Sequence, residues 1–202
     1  IDKKHIWTIC IILLVIAICT GAFAYKINRD YKTVSNNIYN LAFYELIDYM
    51  SDVENYLSKA LVTNESDYST QNLTYIWRSA NLAEVYLSKI PISNEGLSNT
   101  QRFLNQVSEF TYSLSRKCIT NKDLTKDELN KLKDLYSYSK QINITLNQLS
   151  FEINNGTLSW KELSADGSSL FLKQVSNMSI DGFGNIEENF EDMQDALVEN
   201  GE

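Results

Sequence analysis

The chemistry available to this chain is narrow. Its single histidine is His5, beside the first apolar run. No His-based catalytic triad and no His-containing zinc site can therefore form further along. Neither a phosphate-binding P-loop nor a GxSxG nucleophile elbow occurs. Acid–base work would fall to carboxylates. Glu187, Glu188, Glu191, Asp192 and Asp195 share one face of a helix whose other face is spaced by Ile186, Phe190, Met193 and Leu197. A solvated acidic face is the commoner meaning of that pattern. Asn177, Ser179, Asp181, Gly182, Asn185 and Glu188 fall on positions 1, 3, 5, 6, 9 and 12 of an EF-hand loop, where the sixth is the turn glycine and the others are ligand positions. The first is Asn and so one charge short, Gly184 replaces the usual aliphatic residue, and no partner loop exists. The expectation there is a glycine turn before a helix with an acidic first turn, which the helix dipole favours. No enzyme, metal site or cofactor is expected.

Recognition is the better use of the remaining polar residues. Arg102, Gln106, Glu109, Ser113 and Arg116 recur at alternating spacings of four and three, which is one line on a helix. It lies about 100° from the apolar line Phe103, Val107, Phe110 and Leu114. It could dock a partner, or form a solvated or ion-paired face within a bundle. Arg102, Gln106, Glu109 and Arg116, with Trp77 and Arg78, are the residues expected to face a partner.

The elements that must carry these residues begin with an uncharged run from Ile6 to Ala24. At about 1.5 Å rise per residue it matches a hydrocarbon core about 30 Å thick. Trp7 and Tyr25 flank it, as interfacial rings do. A cleaved signal peptide is the alternative, since Ala22-Phe23-Ala24 fits A-x-A, but the run is long for one. A transmembrane anchor at 6–24 after a short tail at 1–5 is expected. Lys3 and Lys4 before it and Lys26, Arg29 and Lys32 after it leave its direction open by charge. An extracytoplasmic location for the large following domain is expected. The chain opens on Ile1 instead of Met, and residues before it are expected to be missing.

One proline, seven glycines and 44% hydrophobic residues argue for long helices. A first helix is expected from Asp30 to Val62, its stripe Tyr39, Ala42, Leu46, Tyr49, Val53, Leu57 and Ala60, continuing from the anchor as a stalk. Tyr31, Tyr44 and Tyr56 add to its tyrosines, most of them expected to be core or half-core. A second spans Tyr68 to Lys89 on Leu73, Trp77, Ala80, Ala83, Leu87 and Ile90, and Pro91 stops it. A third starts at a Ser98/Asn99 cap after an Asn94-Glu95-Gly96 turn and reaches Lys117. Thr125-Lys126-Asp127-Glu128 is a capping box that opens a fourth. Its stripe is Leu129, Leu132, Tyr136, Ser139, Ile142, Leu146, Leu149 and Ile153, ending at Asn155-Gly156. The fold class is all-α: one transmembrane helix, an antiparallel four-helix bundle over 25–156, and a partly helical acidic extension over 157–202. That extension should hold a short helix around Trp160, a turn at Asp166-Gly167 and an apolar piece at Leu170-Phe171-Leu172. Residues 1–156 carry sixteen basic and sixteen acidic side chains, and 157–202 carry two and ten, so the whole net charge of −8 lies in the extension. Nothing marks a nucleic-acid footprint. Cys10 and Cys19 lie on opposite faces of the membrane run and Cys118 stands alone beyond it, so no disulfide framework is expected. The N-x-S/T sequons are read as composition.

Four blocks in order then carry a resemblance. They are Ile76-Trp77-Arg78 with Leu87-Ser88-Lys89-Ile90-Pro91; Asn99-Thr100-Gln101-Arg102-Phe103-Leu104-Asn105-Gln106-Val107 with Ser113-Leu114-Ser115-Arg116-Lys117; Leu124-Thr125 with Glu128-Leu129 and Leu132; and Phe183-Gly184-Asn185-Ile186-Glu187-Glu188. Behind a single amino-terminal membrane segment, they resemble the amino-terminal half of the YpeB spore-germination family, from the anchor to about Met193. The resemblance implies a non-enzymatic protein of the spore inner membrane, facing the cortex. It implies a need for this protein in the presence and stability of the cortex-lytic enzyme SleB, the expected partner. The family continues into PepSY repeats, which would be expected to begin near Glu202. The other reading is an extracytoplasmic helical sensor domain, which would require a second membrane helix downstream.

Overall fold

The computed structural model describes residues 3–62, 66–92, 94–120 and 122–164. The expected acidic helix, the EF-hand-like loop, the turn at Asp166-Gly167, the apolar piece at 170–172 and the Phe183–Glu188 block lie outside the described residues. All described elements are helical: α1 (Lys3–Val62), α2 (Ser66–Leu87), α3 (Asn94–Ile119) and α4 (Lys126–Asn154). The chain divides into two units, one up to Leu41 and one from Ala42 on.

In the first unit α1 continues without interruption from Lys3, since neither Pro nor a helix-ending Gly intervenes. It contains a stretch long and apolar enough to cross a membrane. Gly21 is helical, with open space where a Cβ would stand.

The second unit holds the core. From α1 come Ala42, Leu46, Met50, Val53, Leu57 and Ala60, all buried. Helix α2 buries Leu73, Ile76, Ala80, Ala83 and Leu87, and α3 buries Phe103, Leu104, Val107, Phe110 and Leu114. Helix α4 buries Leu132, Leu135, Ile142, Leu146 and Leu149. Removing a side chain of this size from water contributes about 1.5–3 kcal/mol. Tyrosines join α1 to α2 at its margin. Tyr49 stacks on Tyr86 with centroids 5.6 Å apart, and Tyr56 on Tyr75 at 4.9 Å. Lys89 sits over the Tyr86 ring and Lys59 over the Tyr56 ring. Helix α3 meets α2 through Asn81–Ser108 and Gln101–Glu84, and meets α4 through Phe103–Tyr138. Asn143 on α4 is buried and donates to the Met50 carbonyl oxygen at 3.1 Å and the Glu54 carboxylate at 2.6 Å, both on α1. Tyr49–Tyr86 with Tyr56–Tyr75, and Asn81–Ser108 with Glu84–Gln101, are partners in opposed numerical order.

The helix ends follow local chemistry. Thr125 accepts from the Glu128 N–H at 3.2 Å, and the Glu128 carboxylate accepts from the Thr125 N–H at 2.6 Å. This capping box satisfies two backbone donors at the start of α4. At its other end Asn155 caps the helix and Gly156 takes φ +72°, the left-handed conformation that glycine adopts without a Cβ penalty. Two boundaries differ from the sequence expectation. Helix α3 begins at Asn94, not at Ser98/Asn99, and takes in Asn94-Glu95-Gly96. Helix α2 runs Ser66–Leu87, not Tyr68 to Lys89. Lys89 and Ile90 donate three residues back, to Tyr86 and Leu87. This tightening is what Pro91 imposes, because the residue before a proline avoids the α region.

Beyond Gly156 the chain returns to the core. Ser159 accepts from the Glu162 N–H, and the Glu162 carboxylate accepts from the Ser159 N–H, forming a second capping box. The Ser159 hydroxyl, and after it the Ser159 N–H, both donate to the exposed Glu162 carboxylate and hold it below its usual value. The helical turn at 160–164 buries Trp160 and Leu163. Trp160 meets Phe43 edge-on, with centroids 5.5 Å apart.

Candidate functional site

The residues expected to face a partner sort into three groups. Trp77 on α2 and Arg116 on α3 are brought together by a third residue, Tyr112. The Trp77 and Tyr112 rings lie 5.3 Å apart, tilted by 39°. The Arg116 guanidinium sits 5.9 Å above the Tyr112 ring, one helical turn along. Tyr112 is 43% exposed and Trp77 38%, so this is a surface cluster. Asn81, one turn from Trp77, fixes the approach of the helices. Its amide donates to the Trp77 carbonyl oxygen and to Ser108 Oγ, both at 2.7 Å.

Arg78, Arg102 and Glu109 form the second group. All are exposed, and Arg102, Glu109 and Arg116 make no ion pair among the described residues. Gln106 is the third. It is half-buried, and its Oε1 is buried without a hydrogen-bond partner among the described residues. The line drawn from spacing therefore dips toward the interior at Gln106 and reaches solvent on either side.

Sequence reasoning placed Trp77 in the apolar stripe of its helix, but Ile76 takes the buried position there. Tyr112 was missed. The signal that could have found it is the Tyr112–Arg116 spacing of four, at which a cation meets a ring on a helix surface.

A charge pair joins the end of α3 to the start of α4. Lys117 at the end of α3 donates to both Glu128 oxygens, at 2.9 and 2.8 Å. Burial opposes ionisation of Glu128, but the bonds from Lys117 and Thr125 outweigh it and hold the carboxyl below its usual value. The neighbouring Cys118 thiol is pushed up, first by burial and then by the Glu128 charge. Among the described residues no group of three or more His, Cys, Asp and Glu side chains is placed to hold a metal ion. The cluster offers aromatic surface and a cation, which suits contact with another molecule.

Residues 27–162 match the family model described as YpeB N-terminal. The sporulation protein YpeB of Oceanobacillus iheyensis is 28% identical over 180 residues, covering 89% of this chain and 40% of that protein. Those of Halalkalibacterium halodurans and Bacillus subtilis are 26% and 27% identical, covering 88% and 90% of this chain and 40% and 41% of theirs. The chain thus spans about 40% of the length of the curated relatives it matches. No solved structure matches it. With the family model covering α2, α3, α4 and α1 from Ile27 on, the chain belongs to the YpeB family of sporulation proteins, in the region of its amino-terminal domain.

Proposed function

We propose that this chain is the membrane-tethered part of a non-enzymatic scaffold that keeps the cortex-lytic enzyme SleB present and stable in the spore. Its place is the spore inner membrane, anchored through 6–24, with the helices from 25 on outside the cytoplasm. The opposed order of partners between α1 and α2 and between α2 and α3 supports an antiparallel four-helix bundle. The observation that carries the functional reading is the exposed Trp77–Tyr112–Arg116 cluster, with Arg102 and Glu109 on the same helix as Tyr112 and without ion pairs among the described residues. Cations and aromatic rings left half-open at a helix–helix seam are the residue types that dominate protein contacts. Family membership supports the sporulation context.

The test replaces Arg102 and Arg116 together by Ala in the full-length protein. SleB in dormant spores is expected to fall several-fold while the variant itself stays at normal abundance. Undiminished SleB beside a normally abundant variant would remove this face as the docking surface.

A further inference from the structure

The first unit carries an apolar line that the fold leaves uncovered. Ile27, Tyr31, Val34, Ile38 and Leu41 follow at spacings of four, three, four and three, and each is more than half exposed. Between them stand Asn28, Arg29, Asp30, Lys32, Thr33, Ser35, Asn36, Asn37, Tyr39 and Asn40, none of them aliphatic. A mean spacing of about 3.5 is the repeat of a two-stranded left-handed supercoil.

The same repeat continues backward. Ala24, Thr20 and Ala17 occupy the preceding positions, at spacings of three, four and three from Ile27. They are small, and small residues let membrane helices approach closely. Thr20 spends its hydroxyl inside its own helix, on the carbonyl oxygens of Ile16 and Ala17 at 2.9 and 3.0 Å, so it adds no unmet polar group to that face. Forward, the repeat would next fall on Glu45 and Asp48, and it stops.

We infer that two copies of this chain pair in parallel and in register along the α1 face Ala17, Thr20, Ala24, Ile27, Tyr31, Val34, Ile38 and Leu41. A seam with this period is satisfied by a helix carrying the same period. A second copy tethered in the same membrane presents it at the same height and in the same direction. Charge permits the match. Among the positions flanking the water-side seam, Asn28, Asp30, Ser35 and Asn37, only Asp30 is charged, and in a parallel pair it faces the other copy's Ser35. Five large side chains over about four turns make a short zipper, which an isolated helix pair holds only marginally. The small-residue face lengthens it, and the shared membrane removes part of the entropy of bringing the copies together. The inference is independent of the SleB reading.

The experiment is a single-cysteine scan of the full chain in membranes. Cys10 and Cys19 are replaced by Ser and Cys118 by Ala, one position at a time between 26 and 41 becomes Cys, and mild oxidation follows. Val34→Cys, Ile38→Cys and Leu41→Cys are expected to give a band of twice the chain mass, at least ten-fold stronger than Arg29→Cys, Lys32→Cys or Asn36→Cys. Val34→Asp is expected to abolish the band at Leu41→Cys without changing membrane yield. Equal linkage at all positions, no linkage at the seam, or linkage to a species of another mass would each overturn the pairing.

Discussion

Glu128 shows how much one side chain can organise. It caps α4 through Thr125 and binds the Lys117 ammonium, 2.8 Å away, at the end of α3. Its side chain is 13% exposed and that of Lys117 24%, so solvent screens the pair only in part. A carboxyl whose folded value is depressed stabilises the fold fully above its ordinary value near 4.5, and that stability disappears as pH falls through the lower folded value. Glu128→Gln keeps the acceptor for the Thr125 N–H but loses the charge. The variant is expected to be about 1–2 kcal/mol less stable at neutral pH. The gap should close as pH drops below the ordinary carboxylate value. Urea unfolding followed by circular dichroism at several pH values checks both parts. A gap independent of pH would mean the ion pair is not its source.

At the scale of the element, the described structure extends past the last strong helix signal. The sequence ended the bundle at Asn155-Gly156, yet the next turn places Trp160 edge-on against Phe43 and buries Leu163. Trp160→Ala is expected to cost about 3–5 kcal/mol, measurable as a lower urea midpoint. A change below 1 kcal/mol would mean this turn is only loosely seated.

The helices themselves were legible because their stripes are regular. Phe103, Val107, Phe110 and Leu114 were all read as buried and are. The Thr125–Glu128 box was read to the residue because its reciprocal bonds need only four consecutive side chains. Less legible was anything set by a neighbour. Asn143 looks like a surface residue in sequence, and only the proximity of Met50 and Glu54 explains its burial. The start of α3 was misplaced because Gly96 resembles a terminator when its distance from the next helix is unknown. At the surface cluster, Trp77 and Arg116 were named but their link was not, since Tyr112 lies outside both the polar and the apolar lines.

For the molecule as a whole, the sequence separates functions along its length. The apolar run lies at one end and the acidic excess at the other, with the balanced helices between. Deleting residues 6–24 is expected to move the protein from the carbonate-resistant membrane fraction to the soluble fraction while leaving its helical content otherwise intact. Continued membrane retention after that deletion would require a second attachment.

Cys118 has a practical consequence. Its thiol is shielded where α3 ends, and burial together with the Glu128 charge keeps it in the sluggish protonated form. A thiol reagent must wait for that corner to breathe before it can react. In a chain whose other two cysteines are replaced, the rate of alkylation becomes a stopwatch for local opening, readable without unfolding the protein.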